Sequence, residues 1–453
     1  MLKKLLTFFV TGLLTAAVSW AQPRDRGADL REWTTANGVR VLFLAAPEIP
    51  MVDVSIDVDA GSRWDPENRP GLASMTHAML ALGVRASGPQ PALNEVDISE
   101  GFAELAVQRG GAAGLDRASM TLRMLADTDV RANASRLLSR VMATPSFDAQ
   151  VFDREKKRTI AAIQESMTQP QSIATKALWK AMYGNHPYGN AATPESIAAI
   201  TVEELKAFHA RFWQPARMRI TIVGALSELQ ARELVDQLMG AFPQQSATPV
   251  RPIAQQPLAI KAVTASRQAI AHPASQSHVW LGMPALGRDD PDFFAMTVGN
   301  YILGGGGFVS RLTSEIREKR GLSYSVFSAF SPLAQPGPFL MGLQTQTAKA
   351  PEALRVVEDT LARFLKDGPT QAELKAAKQN LIGGFALRVD TNRKLLDNLA
   401  QINYYDLPLD YLKTWSDKVA AVTTADIRRV MNRVIRPADL SVVVVAGPAG
   451  FQP

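Results

Sequence analysis

The 453-residue sequence contains no cysteine, so neither disulfide bonds nor thiolate metal sites can form. It also lacks a concentrated basic run: the formal net charge of +6 includes Lys3 and Lys4 and becomes +4 without them. We therefore expect no nucleic-acid binding, which needs lysine and arginine gathered on one face. Hydrophobic residues make up 46% and charged residues 20%, which is typical of a globular protein, and the length allows two or more domains.

Long apolar runs are absent except at the amino terminus. Residues 1–21 combine two lysines, the apolar run 5–18 and a small-x-small site at 19–21, a pattern typical of a secretory signal peptide. A membrane anchor is the alternative, but the run is shorter than the roughly 20 residues that span a bilayer. We expect cleavage before Gln22, no membrane span afterwards, and a soluble periplasmic protein stabilised by its hydrophobic cores alone.

Residues 52–83 read as a strand, a loop and a helix. Between Val52 and Asp59 apolar and polar residues alternate strictly, as in a half-buried strand. After a loop with two prolines, apolar residues recur at helical spacing from Leu72 to Leu82. A zinc-peptidase helix with the inverted motif H-x-x-E-H places two histidines on one face to bind the metal, with a glutamate between them as base.

The helix has the frame of that motif without its chemistry. Ser74 and Ala78 occupy the two histidine positions, and His77 occupies the glutamate position. Around them, Gly-Ser-Arg at 61–63, Gly-Leu-Ala at 71–73 and the methionine after the motif resemble the pitrilysin, insulysin and mitochondrial processing peptidase family. In that family a strand ending in Gly-Ser-Arg precedes a Gly-Leu-Ala-His-x-x-Glu-His-Met helix. The resemblance implies a chain of the non-zinc-binding type.

The chain is internally duplicated at an offset of 222 residues, which relates 198–223 to 420–445. We expect two halves at 22–242 and 258–453, joined by a proline-rich linker at 243–257. Mixed strand and helix patterns in each half favour an α+β fold, with mainly antiparallel sheets and helices packed on one face. The resemblance implies the same architecture, with the two similar halves forming a clamshell.

One zinc ligand of the family survives. The third ligand of the resembling peptidases is a glutamate about 77 residues after the second motif histidine, and Glu155 falls 77 residues after Ala78. No pair of histidines has ligand spacing with a nearby acid, so an alternative metal centre is not expected. We expect this chain to hold no metal or other cofactor. The five histidines are His77, His186, His209, His272 and His278.

A second group of candidate residues lies in the second half. Four consecutive glycines let a backbone approach a bound peptide closely, or form a mobile loop. Gly321 indicates a helix end, which places Arg317 on the last turn and Tyr324 on the following strand. Judged by residue type alone, Arg317 would belong to a solvated run of charged residues, and Tyr324 would be a half-buried aromatic residue on a strand. The glycines are Gly304, Gly305, Gly306 and Gly307.

The resemblance gives this segment a role. In the family, an arginine and a tyrosine seven positions later reach from the second half to the substrate at the zinc site. Arg317 and Tyr324 match that spacing and would donate hydrogen bonds to a developing oxyanion. The resemblance thus implies the non-zinc subunit of a two-chain periplasmic zinc metallopeptidase that degrades peptides, with zinc held by a homologous partner chain. Two alternatives stay open: a stand-alone, inactive peptide-binding or scaffold protein, and an active hydrolase with other ligands.

Overall fold

The computed structural model describes residues 30–244, 259–261 and 263–453. The expected signal peptide at 1–21 lies outside these residues, as does all but the start of the expected linker at 243–257. Within the described ranges, no helix combines the length and the apolar character needed to cross a membrane. The chain forms two similar α+β halves, as the sequence predicts.

The first half is built on a six-stranded sheet in the order β1-β2-β8-β3-β7-β6, antiparallel except for β2 and β8. Strands β4 and β5 pair separately. The strands are β1 Leu30–Thr34, β2 Arg40–Ala45, β3 Met51–Val58, β4 Gly83–Val84, β5 Leu93–Asn94, β6 Gln108–Gly110, β7 Ala118–Leu125 and β8 Met218–Gly224. The helices are α1 Leu72–Leu80, α2 Glu95–Glu104, α3 Thr128–Ala143, α4 Ala149–Ser166, α5 Pro170–Tyr183, α6 Pro194–Ala199, α7 Val202–Phe212 and α8 Glu228–Leu238.

The second half is built on a five-stranded sheet in the order β11-β12-β10-β13-β9, antiparallel except for β13 and β9. Its strands are β9 Arg267–Ile270, β10 Gln276–Pro284, β11 Val326–Phe330, β12 Pro338–Gln346 and β13 Ser441–Val445. Its helices are α9 Phe293–Asn300, α10 Arg311–Thr313, α11 Ala350–Asp367, α12 Gln371–Gly383, α13 Asn392–Tyr404, α14 Tyr411–Ala421 and α15 Thr424–Val434. Helices α9 and α10 continue into π-helical turns at Tyr301–Gly305 and Ser314–Glu318.

The duplication seen in the sequence is a duplication of structure. Helices α7 and α15 begin at Val202 and Thr424 and end at Phe212 and Val434, so both ends differ by 222 residues. Each helix begins with a capping box, in which a threonine side chain and an acid three residues later satisfy each other's backbone N–H groups. Helices α5 and α13 correspond at the same offset, beginning at Pro170 and Asn392.

Each half covers one face of the other half's sheet. Helix α13 packs across β8 and β3 of the first sheet, while α5 packs across β10 and β13 of the second. Asn403 of α13 donates from Nδ2 to the carbonyl of Ile220 at 2.8 Å and to Thr221 Oγ1 at 3.1 Å. Apolar side chains of α13 share one core cluster with Leu42 and Leu44 of β2. Helices therefore lie on both faces of each sheet, and one of those faces is covered by the other half.

This exchange changes the interpretation of β3. The alternation at 52–59 predicts a strand with a solvated polar face, and this prediction was wrong, because Asp53, Ser55 and Asp57 are buried like their apolar neighbours. Arg123 and Arg117 lie 3.3 Å from the carboxylates of Asp53 and Asp57 respectively. Burial raises the pKa of Asp57 to about 6 despite the opposing charge of Arg117. The polar face is an interface between the halves.

Candidate functional site

Helix α1 carries the degenerate motif and is capped by a side chain from the preceding loop. Asp65 accepts hydrogen bonds from the backbone N–H groups of Gly71 at 2.8 Å and Ala73 at 2.7 Å, which satisfies two free donors at the helix start. Gly71 has a φ of 101°, a backbone conformation that favours glycine. Ser74 and Ala78 are exposed on one face of the helix, as the i, i+4 spacing requires.

His77, at the position of the catalytic glutamate, contacts the sheet and a neighbouring tryptophan. Its Nε2 lies 2.9 Å from the carbonyl oxygen of Ser119, so Nε2 carries the proton and donates it. The ring lies beside Trp213, with the centroids 6.2 Å apart. Burial lowers the pKa of His77, which keeps the imidazole neutral. The side chain ties α1 to the sheet, and its Nε2 is occupied as a donor to the Ser119 carbonyl.

Glu155 is buried on α4 and is neutralised by arginines of its own helix. Arg154 Nε donates to Oε1 at 2.9 Å, and Arg158 Nη2 lies 2.5 Å from Oε2. Two guanidinium groups thus supply the positive charge that a metal ion would otherwise supply to this carboxylate. In the part of the chain that the structure describes, no group of three histidine, aspartate or glutamate side chains is arranged to hold a metal. The residues at the four motif positions do not fit zinc.

The glycine run in the second half packs against its own chain. A Cβ on Gly304 would lie 2.5 Å from the backbone nitrogen of Ser328, and one on Gly306 would lie 2.7 Å from the carbonyl oxygen of Tyr301. Gly305 is similarly close to Asn300, whereas Gly307 has a φ of 61° and open space around it. Internal packing therefore accounts for three of the four glycines. A role of the run in binding substrate stays a prediction.

Arg317 is held between two exposed aromatic rings. Its guanidinium carbon lies 4.7 Å from the ring centroid of Phe308 and 4.3 Å from that of Tyr324. Phe308 is 69% exposed and Tyr324 is 82% exposed. Among the residues described, no carboxylate forms an ion pair with Arg317, while Glu315, two residues earlier, is engaged by Lys319 and Arg320. The guanidinium N–H groups are therefore positioned by stacking and remain available as donors.

The turn between the two residues is fixed by glycine and serine. Gly321, with a φ of 58°, donates its N–H to the carbonyl of Arg317 at 3.0 Å and ends the helical segment there, as predicted. Tyr324 lies in the bend before β11, which begins at Val326, so its predicted place on the strand was wrong. The hydroxyl of Ser323 closes this bend by donating to the carbonyl of Ser325 at 2.7 Å.

The structure assembles the two groups of candidate residues separately. His77 is anchored within the first half, and Arg317 with Tyr324 within the second. Sequence reasoning missed Phe308, the second ring that holds Arg317. Its position directly after the glycine run is the signal that could have found it. It also missed the alternation Gln276-x-His278-x-Trp280, which lines a cavity beside Tyr324.

Two family descriptions cover most of the chain. Residues 40–194 match Insulinase (Peptidase family M16), and residues 199–381 match the Peptidase M16 inactive domain. A crystal structure of a peptidase M16 inactive domain from Pseudomonas fluorescens is 35% identical, with a TM-score of 0.84, and covers 94% of this chain and 100% of that one. The chain belongs to peptidase family M16. Its two halves carry the fold of that family.

Relatives of similar identity carry different names. A non-peptidase homolog, YmxG, of Helicobacter pylori is 25% identical over 90% of this chain and 92% of its own. An uncharacterized zinc protease of Streptomyces coelicolor is 26% identical over 91% of this chain and 89% of its own. Overall sequence identity therefore does not distinguish relatives that are named proteases from relatives that are named non-peptidases. The residues at the motif positions are the more direct guide, and here both histidine ligands are absent.

Proposed function

We propose that this chain is the non-zinc subunit of a two-chain periplasmic zinc metallopeptidase that degrades peptides. In this proposal a homologous partner of the same family holds the zinc and supplies the chemistry of bond cleavage. This chain contributes part of the chamber wall, and Arg317 and Tyr324 donate hydrogen bonds to the carbonyl of the bond under attack. The signal-like pattern at 1–21 supports export, and Gln22 would be the first mature residue.

The observation that carries the proposal is the contrast between the two candidate groups. Where metal chemistry would be expected, His77 is tied to a backbone carbonyl and Glu155 is neutralised by two arginines. Arg317, which is half-buried, and the exposed Tyr324 instead form no ion pair with described residues, and the flanking ring of Phe308 orients the guanidinium. Exposed stacked rings around a cation make no evident contribution to the core, whereas a peptide-binding role explains them.

The chemical contribution of the pair follows from its donors. A planar guanidinium can bind a backbone carbonyl in the ground state, and a phenolic O–H can strengthen its hydrogen bond as negative charge develops on that oxygen. Stacking between Phe308 and Tyr324 reduces the freedom of the arginine before substrate arrives. Neither side chain has to gain or lose a proton for this role.

The test is reconstitution with a chain of the same family that retains H-x-x-E-H, chosen from a neighbouring gene. Alone, this chain should contain no stoichiometric zinc by elemental analysis and should not cleave an unfolded peptide. The mixture should elute as one complex on size-exclusion chromatography and should hydrolyse the peptide faster than the zinc-bearing chain alone. A complex without any gain in hydrolysis would favour the scaffold alternative, and one zinc per isolated chain with chelator-sensitive cleavage would contradict the proposal.

A further inference from the structure

A cavity of about 480 Å³ opens on the face of the second sheet that is turned toward the first half. Register across β10 and β12 places Gln276 opposite Gln346, His278 opposite Gln344 and Trp280 opposite Gly342. Because side chains alternate along a strand, these residues share one face, while Val279 and Leu281 point into the core. Helix α5 covers the neighbouring part of this face, and Gln171 at its start contributes to the cavity wall.

The floor of the cavity is aromatic. Trp280 and Phe327 meet edge to face with their centroids 5.6 Å apart. Gly342 lies between them, and a Cβ at this position would be 3.0 Å from the Phe327 ring and 3.4 Å from the Trp280 ring. The missing side chain lets the two rings form one apolar surface. Tyr324 stands at its rim, so the cavity adjoins the Arg317 and Tyr324 pair.

The walls are polar but carry no formal charge. Of the described residues that line the cavity, none is aspartate, glutamate, lysine or arginine. Burial lowers the pKa of His278, which favours its neutral imidazole. Gln276 and Gln346 at the rim are exposed, and their side chains form no hydrogen bond with other described residues. Each amide offers both donors and an acceptor.

The amides are also spaced along the strands. Two cross-strand pairs lie side by side, Gln276 with Gln346 and His278 with Gln344. They are separated by two residues along each strand, which is roughly 6.6 Å. Alternate residues of an extended peptide repeat at that same distance. A charged side chain entering here would lose hydration without meeting an opposite charge among the residues that line the cavity, which is costly.

We propose that this cavity binds an extended, uncharged peptide segment, with an aromatic side chain of the peptide against Trp280 and Phe327 and its backbone amides paired with the glutamines. The choice of a peptide as ligand rests on the proposed function. The binding itself needs only this chain, so it can be measured without a zinc-bearing partner.

The experiment measures fluorescence anisotropy of the mature chain with two labelled, unstructured peptides of glycine, serine and asparagine. The peptides differ only at the centre, which is phenylalanine in one and aspartate in the other. We expect the phenylalanine peptide to bind about tenfold more tightly, since aromatic contact and desolvation together favour it by that order. Equal binding of the two peptides would overturn the inference. So would displacement of the phenylalanine peptide by a disaccharide at a concentration equal to the dissociation constant of the peptide.

Three variants locate the binding site. Trp280→Ala should weaken binding of the phenylalanine peptide by about tenfold, while Trp33→Ala, another half-buried tryptophan, should leave it unchanged. Because Trp280→Ala touches the core, Gln346→Glu at the exposed rim provides an independent test: it should shift preference toward a peptide with a central lysine. Unchanged binding and selectivity in both cavity variants would contradict the assignment. If peptides bind as expected but a zinc-bearing partner gains no activity, the proposed function fails and this inference stands.

Discussion

At the scale of single residues, Asp59, directly after β3, is the centre of a buried network of charged side chains. Its carboxylate accepts from Arg63 Nη2 and from Trp64 Nε1, both at 2.7 Å, and from Arg217 Nη1 at 2.8 Å. The side chains of Asp59 and Arg63 are each 1% exposed. Buried ions of this kind are tolerated because each charge is paired and hydrogen-bonded, and removing one partner leaves the other charge uncompensated.

Asp59→Asn should therefore be strongly destabilising. Loss of the carboxylate leaves Arg63 charged and buried, and the expected loss in free energy of unfolding is about 3–5 kcal/mol. Urea denaturation followed by circular dichroism measures it. Glu228→Gln is the matched control, because its 2.7 Å ion pair with Arg232 has both side chains more than 40% exposed and should be worth less than about 1 kcal/mol. Equal effects of the two substitutions would contradict this account of the network.

His209 gives a prediction for pH dependence. Burial lowers its pKa, and Nε2 donates to the carbonyl of Met142 at 2.7 Å. The folded state then binds its proton at lower pH than the unfolded state, so this residue's contribution to stability is present above pH 6.5 and is lost as the pH falls toward the folded pKa. His209→Gln keeps a donor for Met142 but cannot titrate.

The stability difference between wild type and His209→Gln should therefore shift in favour of the variant as the pH is lowered from 7.5 to 5. Urea midpoints at several pH values measure it. Taking the difference between the two proteins removes the contributions of Asp57 and Asp65, whose raised pKa values of about 6 and about 7 act in the opposite direction. Parallel curves for the two proteins would show that His209 titrates alike in both states.

At the scale of elements, the local patterns predicted helices and caps well. The apolar spacing at 72–82 became α1, and the duplicated segments at 198–223 and 420–445 became helices α7 and α15, each with a capping box. The burial of β3 on both faces could not be predicted, because alternation does not show whether polar residues face water or a helix 340 residues away in the chain. Phe308 was missed because its contact with Arg317 depends on the helical segment that lies between them, which brings the two side chains together.

The glycine run provides a test at this scale. Gly304→Ala would place a methyl group 2.5 Å from the Ser328 backbone nitrogen and 2.7 Å from Leu312 Cδ1. Backbone atoms of a packed strand cannot move aside easily, so we expect a loss of about 1–3 kcal/mol. Gly383→Ala, at the end of α12 with nothing within 4 Å, should be neutral or stabilising by up to about 1 kcal/mol. Thermal midpoints of both variants decide the matter, and a harmless Gly304→Ala would mean that the run is not constrained by packing.

At the scale of the whole molecule, the halves are held together by exchanged helices and a polar interface. Asp116 of the first half accepts from the Tyr405 hydroxyl at 2.8 Å and from the Ala334 N–H at 2.8 Å, and also from the Tyr188 hydroxyl. Arg40 pairs with Asp406 at 2.6 Å across the same boundary. Sequence duplication predicts two halves, but their interdependence follows only from the placement of α5 and α13.

We therefore expect the halves to fold together. Expressed alone, residues 22–244 and 259–453 should each fail to give a cooperative unfolding transition, because each sheet would expose the face that the other half covers. Co-expression should restore one transition, measured by calorimetry, in a complex that purifies through a tag on either half. Cooperative unfolding of one isolated half would contradict the claim that each half needs the other in order to fold.

The central claim is that Tyr324 and Arg317 assist chemistry at a partner's zinc site. The most direct measurement is kcat of the reconstituted complex at saturating partner with wild type, Tyr324→Phe and, as a control, Arg320→Gln, whose arginine pairs with Glu315. Tyr324→Phe should lower kcat, by up to about 10²-fold if the hydroxyl is a full oxyanion donor, with an unchanged elution volume of the complex. Arg320→Gln should leave kcat unchanged. Full kcat with Tyr324→Phe in an intact complex would contradict the account.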